Sequence, residues 1–498
     1  MESPGYPGPG VPTRLIKTSA RIAGLLIAVV SAIWIYRAYL ARNLPDLQVW
    51  HSYELESEFR AQDYPDGLSL QQYIELESHL FEELESVVYK EQRSVGRFNR
   101  YNTESEAYAG DAGQRWNRSF ELQHEQARGG VVFIHGASDS PYSTLAISKI
   151  LNDSGMYVLS IRLPGNGTIP SGLRHAKLDD WLAITRMAAK HVRETIGPDL
   201  PLYMAGYSIG GALIVDYALD ATNDETLAAP DRLFLYTPAI GVSAAARFSS
   251  WDLALAKLRP FEKFNWLSIE PEFDPYKYNS FAKNAGHITY QLTMQLNDKL
   301  SRLEDPMALP PIIAFQSLVD STIRVDALVN GLYERLGANG SELVLFDINR
   351  ANDIEHFIKN SELALVTQLA QSEPNAYTYT LVTNINGEST DVVERTKVVG
   401  DNGFDDAPLG LSWPDSIYSL SHVSLVFEST DRWYGSEKTD SFTLGTLAPR
   451  GETAILRPPV GRFMRLRHNP FFDYLSARTL AFCEACLKPD GIEASLSP

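Results

Sequence analysis

Gly206-Tyr207-Ser208-Ile209-Gly210-Gly211 is the stretch of this 498-residue chain whose residue types and spacing speak most directly of chemistry. A serine with glycine two residues before and two after it fits a turn too tight for flanking side chains, which leaves the hydroxyl exposed. Leu202-Tyr203-Met204-Ala205 just before it reads as a buried strand, and Ala212 to Leu219 just after it as a helix. The strand-turn-helix context makes Ser208 a candidate nucleophile; the competing reading is a glycine-rich packing turn. A hydroxyl of ordinary acidity attacks poorly and needs a base, itself held by an acid.

Asp320 is the candidate acid. It stands four residues past a strand ending at Gln316, in the loop Ser317-Leu318-Val319-Asp320-Ser321-Thr322, with a helix-capping role as its alternative. Two histidines compete for the base. His356 follows the strand Leu343 to Ile348 but lies between Glu355 and Lys359 on the polar side of a helical pattern. His422 lies in Tyr418-Ser419-Leu420-Ser421-His422-Val423, among small hydroxyl residues and without flanking charge. The residues alone leave the two open.

The elements that must position these groups begin at Gly130, where apolar strands start to alternate with helical stretches, the pattern of a mostly parallel sheet. Val131 to Ile134, Met156 to Arg162, Asp231 to Tyr236 and Ile312 to Gln316 read as strands, and Asp179 to Ile196 as a helix. Gly241 to Asp305 fits no such alternation. Its aromatics, Phe248, Trp251, Phe261, Phe264, Trp266, Phe273, Tyr276 and Tyr278, suggest a cap over an apolar pocket. Tyr377 to Thr383 reads as an extra strand, Asp391 to Val399 as a short helix, and Tyr474 to Leu487 as a helix.

Composition bounds the rest. Against 44 basic residues stand 62 acidic ones, for a net charge of −18, a field that repels a phosphate backbone and argues against nucleic acid. Cys483 and Cys486 are the only cysteines, which excludes a disulfide framework and a four-cysteine zinc site; the pair reads as packing cysteines, oxidised if the domain is exported. No metal or organic cofactor is implied.

Ile22 to Tyr36 is uncharged and apolar, and extending it through Ala41 gives the roughly 20 residues a bilayer core requires. Trp34, Tyr36 and Tyr39 would lie at the far interface, and the flanking basic residues favour a cytosolic N-terminus with the body periplasmic. A cleaved signal peptide is the alternative. Ser52 to Ser86 holds ten acidic residues and one Arg60, which reads as a solvated face, or else as a stem docked on the body. Within it Ser69 and Gln72 form a capping-box start to an amphipathic helix. The expected organisation is a tail (1–20), a transmembrane helix (21–41), an acidic stem (42–128), a core in two parts (129–240 and 307–372) around a cap (241–306), and a C-terminal extension (373–498).

At these residues the chain resembles the α/β-hydrolase superfamily, in particular bacterial carboxylesterases, monoacylglycerol lipases and lysophospholipase-like members. His135-Gly136-Ala137-Ser138-Asp139-Ser140-Pro141 is similar to their oxyanion loop. Leu163-Pro164-Gly165-Asn166-Gly167-Thr168 is similar to their Leu-Pro-Gly-His-Gly-Thr stretch, with Asn166 at the histidine. The third motif is the turn at Ser208. The resemblance implies an α/β-hydrolase fold, a mostly parallel sheet with helices on both faces, here with an aromatic cap, a C-terminal extension and an N-terminal transmembrane helix. It further implies an oxyanion hole from the backbone N–H groups of Ala137 and Ile209. Asp274 to Phe281 and Ser419 to Val423 also resemble a group of membrane-anchored bacterial hydrolases, and that likeness favours His422 as base. It requires an unusually long excursion, Asn349 to Ser421, ahead of the base.

The expected activity is therefore that of a membrane-anchored serine hydrolase cleaving carboxylic esters through Ser208, His422 and Asp320, with the cap and tether favouring a lysophospholipid or monoacylglycerol. One alternative is a serine aminopeptidase, with Glu270, Glu272 and Asp274 holding the substrate ammonium. Another is a tethered interaction protein that keeps the fold without turnover.

Overall fold

Strand Gly130–Ile134 shows how this sequence makes its core: all five residues are buried, and alternate side chains enter opposite hydrophobic layers. Val132 and Ile134 point into one layer, Val131 and Phe133 into the other, as the twofold period of a strand demands. A strand covered on both faces needs apolar residues at every position, and that is why these strands read as continuous runs.

The computed structural model describes residues 13–89, 96–108, 117–241, 259–352, 376–401, 403–437, 443–447, 450–452 and 455–486. Its strands, in chain order, are β1 (Phe120–Leu122), β2 (Gly130–Ile134), β3 (Tyr157–Ile161), β4 (Leu202–Tyr207), β5 (Arg232–Tyr236), β6 (Trp266–Ser268), β7 (Phe281–Ala282), β8 (Ile312–Ser317), β9 (Glu342–Phe346), β10 (Thr378–Asn384), β11 (Asp391–Lys397) and β12 (Asp405–Ser412). Ten of them form one sheet in the order β1-β3-β2-β4-β5-β8-β9-β10-β11-β12, and β6 pairs with β7 apart from it. The run from β3 to β10 is parallel, and β1, β11 and β12 are added antiparallel at the two edges. This is the α/β-hydrolase fold with extensions at both ends.

One face of the sheet is covered by regular helices: Leu178–Ile196, Ile209–Ala221, Lys283–Ser301 and Val325–Gly331. The other is covered by helix Leu145–Asp153 and by mostly irregular chain among the described residues from 413 onward, closed by helix Phe472–Phe482. Trp413, Phe427, Trp433, Tyr434, Phe471 and Phe472 fill that second layer.

Several expectations need correction. Asp391–Lys397 is a strand paired on both sides, not a helix; Val392, Val393 and Thr396 are β-formers, and a partner strand on each flank decides the outcome. The cap stretch contains a 19-residue helix, Lys283–Ser301, whose Ala285, Ile288, Leu292, Leu296 and Leu300 are buried at helical spacing. The acidic stem is docked rather than solvated at its key residues. Glu58 and Glu77 both pair with Arg162 at 2.9 Å, with all three side chains buried, and the Tyr73 hydroxyl donates to the Arg162 carbonyl at 2.7 Å. The helix behind this contact, Leu70–Val87, does start with the Ser69–Gln72 capping box.

Among the described residues one helix, Arg21–Arg42, is long and apolar enough to cross a membrane, a test that a signal sequence also passes. Ala41 at its end packs on Phe264, and Lys263 donates to the Leu44 carbonyl at 2.9 Å. Cys483 and Cys486 are joined as a disulfide in the buried C-terminal turn.

Candidate active site

Ser208 sits between β4 and helix Ile209–Ala221 with φ 56° and ψ −117°, left-handed backbone that a side-chain-bearing residue rarely adopts. The strain is held by hydrogen bonds: Ser208 N–H donates to Tyr236 O at 2.9 Å, and Ser208 O accepts from Gly211 at 3.1 Å and Ala239 at 2.9 Å. The flanking glycines are obligatory on contact grounds. A Cβ on Gly206 would lie 2.4 Å from the Gly210 backbone, and one on Gly210 would lie 2.1 Å from Ile134 O.

Asp320 follows β8, as the sequence implies. Its Oδ2 lies 2.7 Å from His422 Nδ1 and accepts from Gln316 Nε2 at 2.8 Å; its Oδ1 accepts from the N–H groups of Thr322 and Ile323 at 2.7 and 3.1 Å. Burial alone would push this carboxyl up. The neighbouring His422 and the two backbone donors outweigh it and hold Asp320 below the usual carboxylate value. A carboxylate so held can orient the imidazole that faces it and accept from its Nδ1–H, the arrangement a serine-histidine-acid triad requires. His422 and Ser208 line the same cavity.

The long excursion ahead of His422 closes on itself. Asn349, where it begins, donates its backbone N–H to Tyr418 O at 2.7 Å and its amide to Ile417 O at 3.1 Å. Strands β10 to β12 thus leave and return at one point, and the histidine loop arrives beside β9. Ser317 Oγ donates to Leu420 O at 2.8 Å and Ser421 Oγ to Leu466 O at 2.6 Å, which pin the loop on either side of the imidazole. His356 lies outside the described residues.

Ala137 and Ile209 both line the cavity, one at the end of β2 and one at the helix N-terminus after Ser208. The loop carrying Ala137 is braced from below. With its amide turned so that Nδ2 faces the carbonyls, Asn166 donates to Ala137 O at 2.8 Å and Asp139 O at 3.1 Å. His135 does not face the cavity: its Nε2 accepts from Leu163 N at 3.0 Å and its Nδ1–H donates to Gly136 O at 2.8 Å. Burial lowers its pKa to about 4, so it stays neutral and tethers the two loops.

The cavity, about 460 Å³, has a mixed lining. Of the aromatics of the cap stretch, Tyr278 lines it together with Phe281 and the exposed Leu267; Phe273 and Tyr276 instead pack into the second core layer. Phe248 and Trp251 lie outside the described residues. Glu270, Glu272 and Asp274 do not line the cavity. Glu270 pairs with Arg462 at 2.8 Å, Glu272 accepts from the N–H groups of Asn279 and Ser280, and Asp274 accepts from the Tyr434 hydroxyl. The cations of the lining are what sequence reasoning missed: Lys277, Arg462, Arg465 and Arg467. The signal was available as an Arg-x-x-Arg-x-Arg run in a strongly acidic chain. Among the described residues no group of three histidine, cysteine or carboxylate side chains could hold a metal ion.

Residues 131–351 match the sequence model of the alpha/beta hydrolase family. No curated protein matches significantly. Among solved structures, the chain is similar to a metagenome-derived lipolytic enzyme of the LipS and LipT pair, with 19% identity over 51% of this chain and 98% of the other, and a TM-score of 0.37. It is also similar to a monoacylglycerol lipase of Paleococcus ferrophilus (16% identity, 46% and 88% covered, TM-score 0.36). A carboxyl esterase of Bacillus coagulans stands alongside them (15% identity, 50% and 92% covered, TM-score 0.36).

Proposed function

We propose that this protein is a serine hydrolase cleaving carboxylic esters through a covalent acyl-enzyme, a reading that starts from the match of residues 131–351 to the alpha/beta hydrolase family. The observation that carries the reading is the 2.7 Å contact between His422 Nδ1 and the buried Asp320, beside a cavity that also holds the strained Ser208.

In the proposed cycle His422 Nε2 takes the Ser208 proton as Oγ attacks the ester carbonyl. The developing oxyanion is received by the N–H groups of Ala137 and Ile209, where one such donor is worth about 2.7–4 kcal/mol. His422 returns the proton to the leaving alcohol, the C–O bond breaks, and Ser208 carries the acyl group. A water, deprotonated by the same imidazole, then attacks the acyl-serine and releases the acid and free enzyme. Asp320 orients the imidazole and stabilises its charged form throughout.

The apolar helix Arg21–Arg42 supports a membrane anchor in the same proposal, with the body in the extracytoplasmic space. The disulfide Cys483–Cys486 fits an oxidising compartment. An acyl chain of a lysophospholipid or monoacylglycerol is the substrate class that the tether and the exposed Leu267 at the cavity favour. The aminopeptidase alternative gains nothing from the site, because the carboxylates it needs are engaged outside the cavity.

A p-nitrophenyl ester series tests the proposal. Hydrolysis that disappears in Ser208→Ala and rises with chain length is expected. A rate that falls steadily with chain length would remove the acyl-lipid substrate, and turnover retained by Ser208→Ala would remove the serine mechanism.

A further inference from the structure

The cavity that holds Ser208 is cationic on one side, and its cations are not equally occupied. Lys277 is spent on Asp139, with Nζ 3.0 and 3.1 Å from the two carboxylate oxygens. Arg462 is paired with Glu270 at 2.8 Å and also donates to Asn279 O at 3.0 Å. Arg467 faces Asp274 at 3.6 Å and donates to Arg462 O at 3.1 Å. Arg465 is different. Its hydrogen bond is to the Thr322 hydroxyl, at 2.8 Å, and among the described residues no carboxylate lies within ion-pair distance of it.

Asp320, in the loop that Arg465 touches through Thr322, is already filled. His422 and Gln316 occupy one oxygen, and the Thr322 and Ile323 N–H groups occupy the other. A guanidinium has five N–H donors in a fixed planar fork, matched to the paired oxygens of a carboxylate or phosphate. One arm on Thr322 holds the fork beside the acid loop, and Arg465 lines the cavity. In a chain of net charge −18, an unbalanced cation at the reaction cavity is a local reversal of the field. Clefts lined by one sign of charge draw in the opposite sign.

We propose that Arg465 anchors an anion subsite, so that the preferred substrate is an ester carrying a carboxylate, phosphate or similar anionic group near the scissile bond. The inference rests on the ester-hydrolase reading above and narrows its substrate class. Arg462 and Arg467, each already partnered, shape the same wall and add to its potential. The anion can come from a lipid headgroup or from a small soluble acid; the fork recognises the same oxygens in both.

Two matched pairs of esters test it on the full-length protein in detergent. The soluble pair is p-nitrophenyl glutarate as the free monoacid and its methyl ester; the lipid pair is oleoyl lysophosphatidate and monooleoylglycerol. The quantity read is the ratio of kcat/KM for the anionic over the neutral member. A ratio of at least about ten is expected for wild type in one pair, and that pair identifies the source. Arg465→Gln lowers the ratio about tenfold or more, and Arg465→Lys restores part of it. A wild-type ratio at or below one in both pairs, or a ratio unmoved in Arg465→Gln, overturns the subsite and leaves Arg465 as a brace for the Thr322 loop.

Absence of Ser208-dependent turnover of every member would instead sink the ester reading. The subsite is then decided by calorimetric titration of monomethyl glutarate into Ser208→Ala. Binding that disappears when Arg465→Gln is added supports it, and no binding overturns it.

Discussion

The two faces of the central sheet are built by different rules. On one face, helices Leu178–Ile196 and Ile209–Ala221 pack on the strands, the first by a periodic apolar stripe and the second buried on nearly all sides, and Lys283–Ser301 lays its own apolar stripe on Ile209–Ala221. On the other, the described residues between 413 and 471 are mostly loops and turns, with one short helix at Val460–Phe463, and they bury Trp413, Phe427, Trp433, Tyr434 and Phe471 without any regular period. The candidate chemistry is divided between them. Ser208 belongs to the periodic face, whereas His422 and Arg465 arrive on the irregular one. The regular face supplies a rigid elbow. The irregular face supplies groups that only tertiary contact can aim, and its aromatic packing must then be rigid enough to aim them.

Catalysis gives the largest effect by which to probe this division. Asp320→Asn keeps the shape of the contact but favours the wrong imidazole tautomer, so kcat should fall by about a thousandfold or more with little change in melting temperature. A loss under tenfold would mean that the two faces do not meet at this contact.

Stability comes next. Leu213→Ala on the regular face should cost about 2–5 kcal/mol, and Phe471→Ala on the irregular face about 3–5 kcal/mol. Both residues are fully buried, and denaturant unfolding should show a single transition in each variant. A Phe471→Ala protein that unfolds like wild type would show the irregular face to be a loose cover.

The smallest effect concerns the buried Glu272, whose carbonyl accepts from Arg100 N at 2.8 Å. Burial raises the Glu272 carboxyl to about 7, only partly offset by the N–H groups of Asn279 and Ser280 and by Arg100. Its folded pKa lies above its unfolded one, so the native state binds the extra proton between about pH 4.5 and 7. Stability from this group is complete below that window and declines as pH rises through it, by about 3 kcal/mol at most. The slope should flatten in Glu272→Gln; an unchanged slope would assign it to another group.

This division also explains what the sequence could disclose. The strands from β2 to β9 and the turn at Ser208 were legible because burial on both faces forces continuous apolar runs, and because Gly206 and Gly210 have no alternative at their contact distances. Asp320 was legible from its place after β8. His422 was not legible from residues alone. The contact that brings its loop home, Asn349 to Tyr418, spans 69 positions and has no local signature. Strand Asp391–Lys397 was misread because its partners, not its own sequence, determine it. The docking of the stem through Glu58 and Glu77 was only one of two open readings, because their partner, Arg162, sits just past a strand far along the chain.

The central claim is that His422, delivered by the irregular face, activates Ser208. Fluorophosphonate labelling of the purified protein, with the adduct mapped by mass spectrometry, tests it in wild type, His422→Ala and His356→Ala. The account predicts an adduct on Ser208 in wild type and in His356→Ala, with labelling of folded His422→Ala slowed by at least about a hundredfold. Rapid labelling of His422→Ala together with loss in His356→Ala, or no adduct on Ser208 in wild type, would contradict it.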